Sequence, residues 1–178
     1  MRRFTLTLLA LWSGWAGAHP VDEVVQAAYL TLAPGAVQLE LDLTPGVQVV
    51  GTIIKALDPN GDGKVTAAEA RTYAGRVLGQ STLSLNGVAV PWTLEKVEVP
   101  PVALLKEGGV LKIYATARRA DRPGAQTLTY QNRYQPVKSQ WVANIFLLPG
   151  AGWQYGVTGQ GHSNDGRQLT VKYIVARS

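Results

Sequence analysis

The sequence predicts a mainly β domain with an α insertion: an antiparallel β-sandwich carrying one helix–loop–helix unit of EF-hand type. Three observations lead there. Apolar and polar residues alternate over short runs, the period of a half-buried strand. Pro-Gly, Asn-Gly and Asp-Gly pairs punctuate those runs at short intervals, as in an antiparallel sandwich. Between two stretches of helical spacing lies Asp58-Pro-Asn-Gly-Asp-Gly-Lys-Val-Thr-Ala-Ala-Glu69. That run fits the calcium-loop pattern D-x-[DN]-x-[DN]-G-x5-E at every specified position.

The chain of 178 residues opens with Arg2 and Arg3, an apolar run from Phe4 to Trp15, and Ala16-Gly17-Ala18. Basic, apolar and small-residue regions in that order make a secretory signal peptide over 1–18, cleaved after Ala18. A membrane anchor needs about 20 apolar residues, more than this run supplies. Residues 19–178 are then expected to form a single domain with no transmembrane segment, located in the periplasm or secreted. Loss of Arg2 and Arg3 lowers the basic count from 17 to 15, against 12 acidic residues. That small excess is spread over the chain, Arg118 and Arg119 included, and reads as a solvated surface. It lacks the clustering a nucleic-acid binder shows. Cysteine is absent, which excludes a disulfide framework and a thiolate metal site. The domain must rest on its core, which a chain of this length can supply.

Residues 24–32 and 36–44 are apolar-alternating runs around Pro34-Gly35, a hairpin. In the second, Val37, Leu39, Leu41 and Leu43 face one way while Gln38, Glu40 and Asp42 face the other. The helical insertion is expected over 46–79. Val47, Val50, Ile54 and Leu57 recur at helical spacing before the loop, and Ala70, Tyr73, Ala74, Val77 and Leu78 after it. Residues 82–86 and 88–92 flank Asn86-Gly87, a two-residue hairpin turn. Further strands are expected at 94–99, 110–118, 126–134, 141–148, 153–158 and 168–176, the last preceded by the turn Ser163-Asn-Asp-Gly166.

Each residue type in the loop has a physical task. Asp58, Asn60 and Asp62 alternate, so their oxygens can converge on one hard cation. Gly63 stands at the sixth position, where the chain turns sharply. Lys64 at the seventh offers its carbonyl, Thr66 a direct or water-borne oxygen, and Glu69 at the twelfth two oxygens. The cofactor expected is Ca²⁺. A plainer reading exists for part of the run: Asn-Gly-Asp-Gly is turn chemistry, and Thr66 with Glu69 is a helix capping box. A capping box leaves Asp58 and Asn60 unexplained. The eighth position, Val65, is where a partner EF-hand would pair, and the chain has no second loop.

Other features resemble a known family. Ala18-His19-Pro20 at the cleavage site, Tyr29-Leu-Thr-Leu, the Asp-rich loop, Leu83-Ser-Leu-Asn-Gly with Val90-Pro91, and Tyr130-Gln-Asn-Arg-Tyr134 followed by Trp141 form one set. Together they resemble the exported amino-terminal domain of bacterial nickel/cobalt-type permeases (the hydrogenase and urease accessory permeases) and related stand-alone EF-hand proteins. The resemblance spans most of residues 18–145 and implies a β-rich exported domain with an inserted EF-hand. It does not carry over transport, since the permeases' membrane domain has no counterpart here.

Histidine offers a second metal site. Cleavage after Ala18 would leave His19 with a free α-amine beside its imidazole, two nitrogens suited to Cu(II) or Ni(II). His162, the only other histidine, could add a third. The alternative is a frayed terminus and a histidine decorating a loop. No nucleophile-elbow or zinc-protease spacing occurs, and the protein is read as non-enzymatic. Trp92, Tyr114, Trp141, Trp153 and Tyr155 are expected to fill a core or line its rim. The function expected is that of an exported calcium-binding module with a structural or partner-binding role, its partners a divalent metal ion and a protein at the cell envelope. The alternative is a periplasmic accessory protein that handles nickel, cobalt or copper.

Overall fold

A computed structural model describes residues 22–178, so the expected leader 1–18 and His19 lie outside the described residues. The elements in chain order are β1 (Val24–Ala33), β2 (Ala36–Pro45), α1 (Val50–Leu57), α2 (Ala67–Leu78), β3 (Ser81–Leu85), β4 (Val88–Val90), β5 (Thr93–Glu98), α3 (Val102–Lys106), β6 (Leu111–Arg118), β7 (Gly124–Asn132), β8 (Ser139–Leu147), β9 (Trp153–His162) and β10 (Gln168–Arg177). They form two five-stranded sheets, ordered β5-β6-β2-β1-β8 and β4-β3-β7-β10-β9. The inner faces of both sheets contribute to one apolar core. The domain is mainly β and two-layered, as expected.

The strands follow their alternation. Along β2, Val37, Leu39, Leu41 and Leu43 are buried and the residues between them are not. Gly35 takes φ +73° between β1 and β2, and Asn86 and Gly87 take φ 51° and 81° between β3 and β4. Positive φ at both central residues matches the twist of a two-residue hairpin. One pairing departs from the antiparallel expectation: β8 runs parallel to β1, from Val24 opposite Ser139 to Leu32 opposite Leu147. Alternation fixes which face a strand buries, and says nothing about the direction of a neighbour far along the chain.

The helices belong to the same core. Ala70, Tyr73, Ala74, Val77 and Leu78 of α2 are buried, as their spacing requires. On α1 the buried face is Val50, Ile53 and Leu57. Val47 precedes the helix and is 56% exposed, so it does not join the expected stripe. α2 lies against β5 and β3, bridging one side of the sandwich. The five-residue α3 was not expected; it is too short to show a period.

A buried polar chain ties the layers together. Gln26 of β1 is fully buried; its Nε2 donates to the Tyr134 carbonyl, and Asn132 Nδ2 donates to Gln26 Oε1, each at 2.9 Å. The Tyr134 amide donates to Asn132 Oδ1 at 2.9 Å, and the Tyr134 and Tyr73 hydroxyls meet at 2.9 Å. Residues of the segment 130–134 thus join both sheets and α2. Arg119 departs from the solvated-surface reading: its side chain is 5% exposed and paired with Asp121.

Burial pushes the phenols of Tyr73, Tyr130, Tyr134 and Tyr173 above their ordinary value. A group held neutral in the fold favours folding below its unfolded pKa, and that advantage is lost as pH rises past it. The unfolding free energy should therefore fall above about pH 10, the usual tyrosine value. Urea titrations between pH 8 and 11 would read this fall, which should be shallower for Tyr130→Phe. Equal slopes for the two proteins would contradict the argument.

Candidate metal centre

The loop 58–69 joins two helices that its own ends help to define. α1 closes with the Asp58 amide donating to the Ile54 carbonyl at 2.8 Å. α2 opens with Thr66 as N-cap: Thr66 Oγ1 accepts from the Glu69 amide at 3.3 Å, and Glu69 Oε2 accepts from the Thr66 amide at 2.9 Å. This reciprocal cap satisfies two donors that a helix start leaves over.

Between them the chain winds around Asp58, which is 6% exposed. Asp58 Oδ1 accepts from the Gly61 and Asp62 amides at 2.9 and 3.3 Å, and Oδ2 accepts from the Gly63 amide at 2.8 Å. Gly61 and Gly63 hold φ +73° and +80°, with open space where a Cβ would stand. Glycine is needed there for conformation, not for room. Asn60 Oδ1 accepts from the Asp62 amide at 3.0 Å, and Asp62 Oδ1 from the Lys64 amide at 2.8 Å. Asn60, Asp62 and Lys64 are exposed. Among the described residues no lysine or arginine pairs with Asp58, Asp62 or Glu69.

The expected ligands are thus only partly gathered. Asn60 and Asp62 are within 3.4 Å of one another through Asn60 Nδ2 and Asp62 Oδ2, and both sit on the turn that Asp58 organises. Glu69 is turned to Thr66, whose amide and hydroxyl both donate to Oε2, the latter at 2.8 Å. Among the described residues no three His, Asp or Glu side chains come together as a metal-holding group. The donor types nonetheless fit a hard cation: all are oxygen, and the acid at the twelfth position keeps Oε1 outside the cap. A hollow of about 290 Å³ separates Gly63-Lys64-Val65 from Val99-Pro100-Pro101-Val102. Where a paired EF-hand would meet Val65, this chain presents a Pro-Pro link, which has no amide to donate.

His162 stands apart from the loop. It ends β9, and its Nε2 lies 2.8 Å from the Ala143 carbonyl, which can only accept, so Nε2 carries the proton. The five aromatics noted in the sequence each have a partner of their own. Trp92 meets Tyr130 edge-on, while Tyr114, Trp141, Trp153 and Tyr155 lie under Lys96, Arg167, Arg177 and Arg119 in turn. The Tyr73–Tyr134 contact, which fastens α2 to the core, was missed; only the apolar position of Tyr73 on its helix was visible.

The architecture and loop define a class: a mainly β, two-sheet domain with an acidic loop between two helices. Against models of known protein families and against curated protein sequences, the chain gives no match. Among the described residues no helix is long and apolar enough to cross a membrane.

Proposed function

We propose that the loop 58–69 takes one Ca²⁺ and that the protein is an exported, non-enzymatic module whose inserted helices the ion reinforces. One observation supports this most: a nearly buried Asp58 carboxylate at the first position, wrapped by three backbone amides and, among the described residues, in no ion pair with a lysine or arginine. Neutral acceptors such as asparagine and glutamine could make the same turn and cap, so three acids within twelve residues are better accounted for by a cation. The ligands would be Asp58, Asn60 and Asp62 side chains, the Lys64 carbonyl, Thr66 and Glu69. Calcium supplies a hard positive centre for oxygen donors. For Glu69 to contribute, its carboxylate must turn from Thr66 and loosen the cap. The leader-like start supports export, and the resemblance to exported permease domains supports a place at the cell envelope.

Extracellular modules of this kind bind at about 10⁻⁴–10⁻³ M. At about ten times the dissociation constant the ion would stabilise the fold by about 1.4 kcal/mol. For a domain of this size that is a rise in Tm of about 3–6 °C. Glu69→Gln is the decisive variant. Glutamine still serves at the third position of a capping box, so the calcium-free Tm should hardly move. The rise with calcium should vanish, because an amide cannot replace a two-oxygen anionic ligand. Differential scanning calorimetry with and without calcium reads both. A wild-type protein whose Tm ignores about 10 mM calcium, ten times the weakest of these dissociation constants, would sink the proposal.

A further inference from the structure

The two sheets end in four edge strands, and three carry devices that hinder pairing with another chain. β4 has three residues and runs into Pro91. β5 carries Glu95, Lys96 and Glu98, shifts register against β6, and has α2 against it. β9 contains Gly156, Gly159 and Gly161 and shifts register opposite Lys172 and Tyr173. Short, charged, bulged or covered edges are how natural sheets avoid association. β8 is covered only at one end: its nine residues include no charge, proline or glycine and keep unbroken register with β1. On its outer face two large apolar side chains alternate with Gln140 and Asn144. Val142 and Phe146 are 47% and 53% exposed, Leu148 just beyond is 53% exposed, and Phe146 lies beside Tyr29 with ring centroids 6.3 Å apart.

The free side of β8 is only partly blocked. The Lys138 carbonyl and the Leu148 amide bond to β1, so even-numbered positions turn their backbone groups inward to β1. Trp141, Ala143, Ile145 and Leu147 turn theirs outward. At Trp141 and Ala143 that side is occupied: Gly166 backs onto the Trp141 carbonyl, and His162 donates to the Ala143 carbonyl. Among the described residues, Ile145 and Leu147 face no further strand.

We propose that this edge pairs with the same edge of a second copy, antiparallel, about a two-fold axis at Phe146. Ile145 of each copy then exchanges both backbone hydrogen bonds with Leu147 of the other, and Phe146 faces Phe146 across the axis. The two Tyr29–Phe146 pairs become one row of four rings, and aromatic cross-strand pairs stabilise a sheet. A copy of the chain is the occupant because the edge matches itself. It has no charge with which to hold a charged partner, and self-pairing buries none. Two-fold closure uses the edge up in both copies and stops at two. The contact is small, at the low end of specific interfaces (below about 1,200 Å²), so the dimer is weak and reversible.

Sedimentation equilibrium of the protein from about 10 μM to 1 mM spans the relevant affinities. A concentration-dependent dimer is expected. Phe146→Lys should weaken it at least about tenfold, a shift of about 1.4 kcal/mol. Val88→Lys, at an exposed apolar position of β4, should not. If Phe146→Lys loses its native circular dichroism, Asn144→Lys on the same exposed face takes its place. Because the chain has no cysteine, Phe146→Cys adds a single thiol. Opposed Cα atoms at such a non-hydrogen-bonded position lie about 4.5 Å apart, within disulfide range. Mild oxidation should therefore give a covalent dimer with Phe146→Cys and little with Val88→Cys. A wild-type chain monomeric throughout the range, unchanged dimerisation of the lysine variant, or equal cross-linking of both thiols would overturn the proposal.

Discussion

Asp121→Ala is expected to lower the unfolding free energy by about 3–5 kcal/mol, the cost of leaving a buried charge without its partner. Arg119 Nη1 and Asp121 Oδ1 lie 2.7 Å apart, and both side chains are 5% exposed. Asp121 Oδ1 also accepts from the Tyr155 hydroxyl at 2.8 Å, and Oδ2 from the Gly35 amide at 2.6 Å. Removal strands a guanidinium, a phenol and a turn amide together. Arg119 keeps only its contact to the Ala33 carbonyl at 3.1 Å and its stack on Tyr155. The double variant Arg119→Met/Asp121→Leu should recover much of the loss, since apolar groups of similar size can replace a buried pair at little cost. Urea denaturation measures both. A loss below about 1 kcal/mol for the single variant would mean that the pair behaves as a surface contact.

Gly166→Ala should rank beside it, at about 3 kcal/mol or more, because two separate penalties meet. Gly166 has φ +74°, and an added Cβ would stand 2.2 Å from the Trp141 carbonyl oxygen. Backbone cannot yield as a side-chain tip does, so either β8 or the turn 163–166 must move. That turn is held by the Gly166 amide to the Ser163 carbonyl at 2.9 Å and by Ser163 Oγ to Asp165 Oδ1 at 2.6 Å. Gly61 is the control. It has φ +73° with open space around it, so Gly61→Ala should incur only the conformational part, about 1–2 kcal/mol. Comparable losses for the two variants would show that the contact with Trp141 carries no weight. Tryptophan emission should shift in the Gly166 variant, since Arg167 covers the Trp141 ring at 3.9 Å.

The strands were legible wherever one face meets the core and the other does not. β2 reads cleanly for that reason, and β1 less so, because the inward Gln26 breaks its pattern. That glutamine is tolerable only once Asn132 and Tyr134 reach it, a fact of tertiary structure. Arg119 looked like a solvated charge, since nothing local distinguishes a buried pair from an exposed one. In the loop, the positive φ of Gly61 and Gly63 was written in the residue types. The capping posture of Glu69 was legible as one of two readings. Thr-x-x-Glu specifies a helix cap, and the same glutamate completes a calcium pattern, so one string of residues encodes two arrangements.

The parallel pairing of the first strand with the eighth bears on how the chain acquires its structure. Gln26 and its acceptor carbonyl at Tyr134 are 108 positions apart. A polypeptide emerging from its amino end therefore cannot complete the first sheet until most of its length is present. Contacts this distant in sequence slow folding, because the intervening loop must close before they are rewarded. The β1–β2 hairpin can pair early, but the far edge of β1 and the buried Gln26 wait for residues 132–147 to arrive.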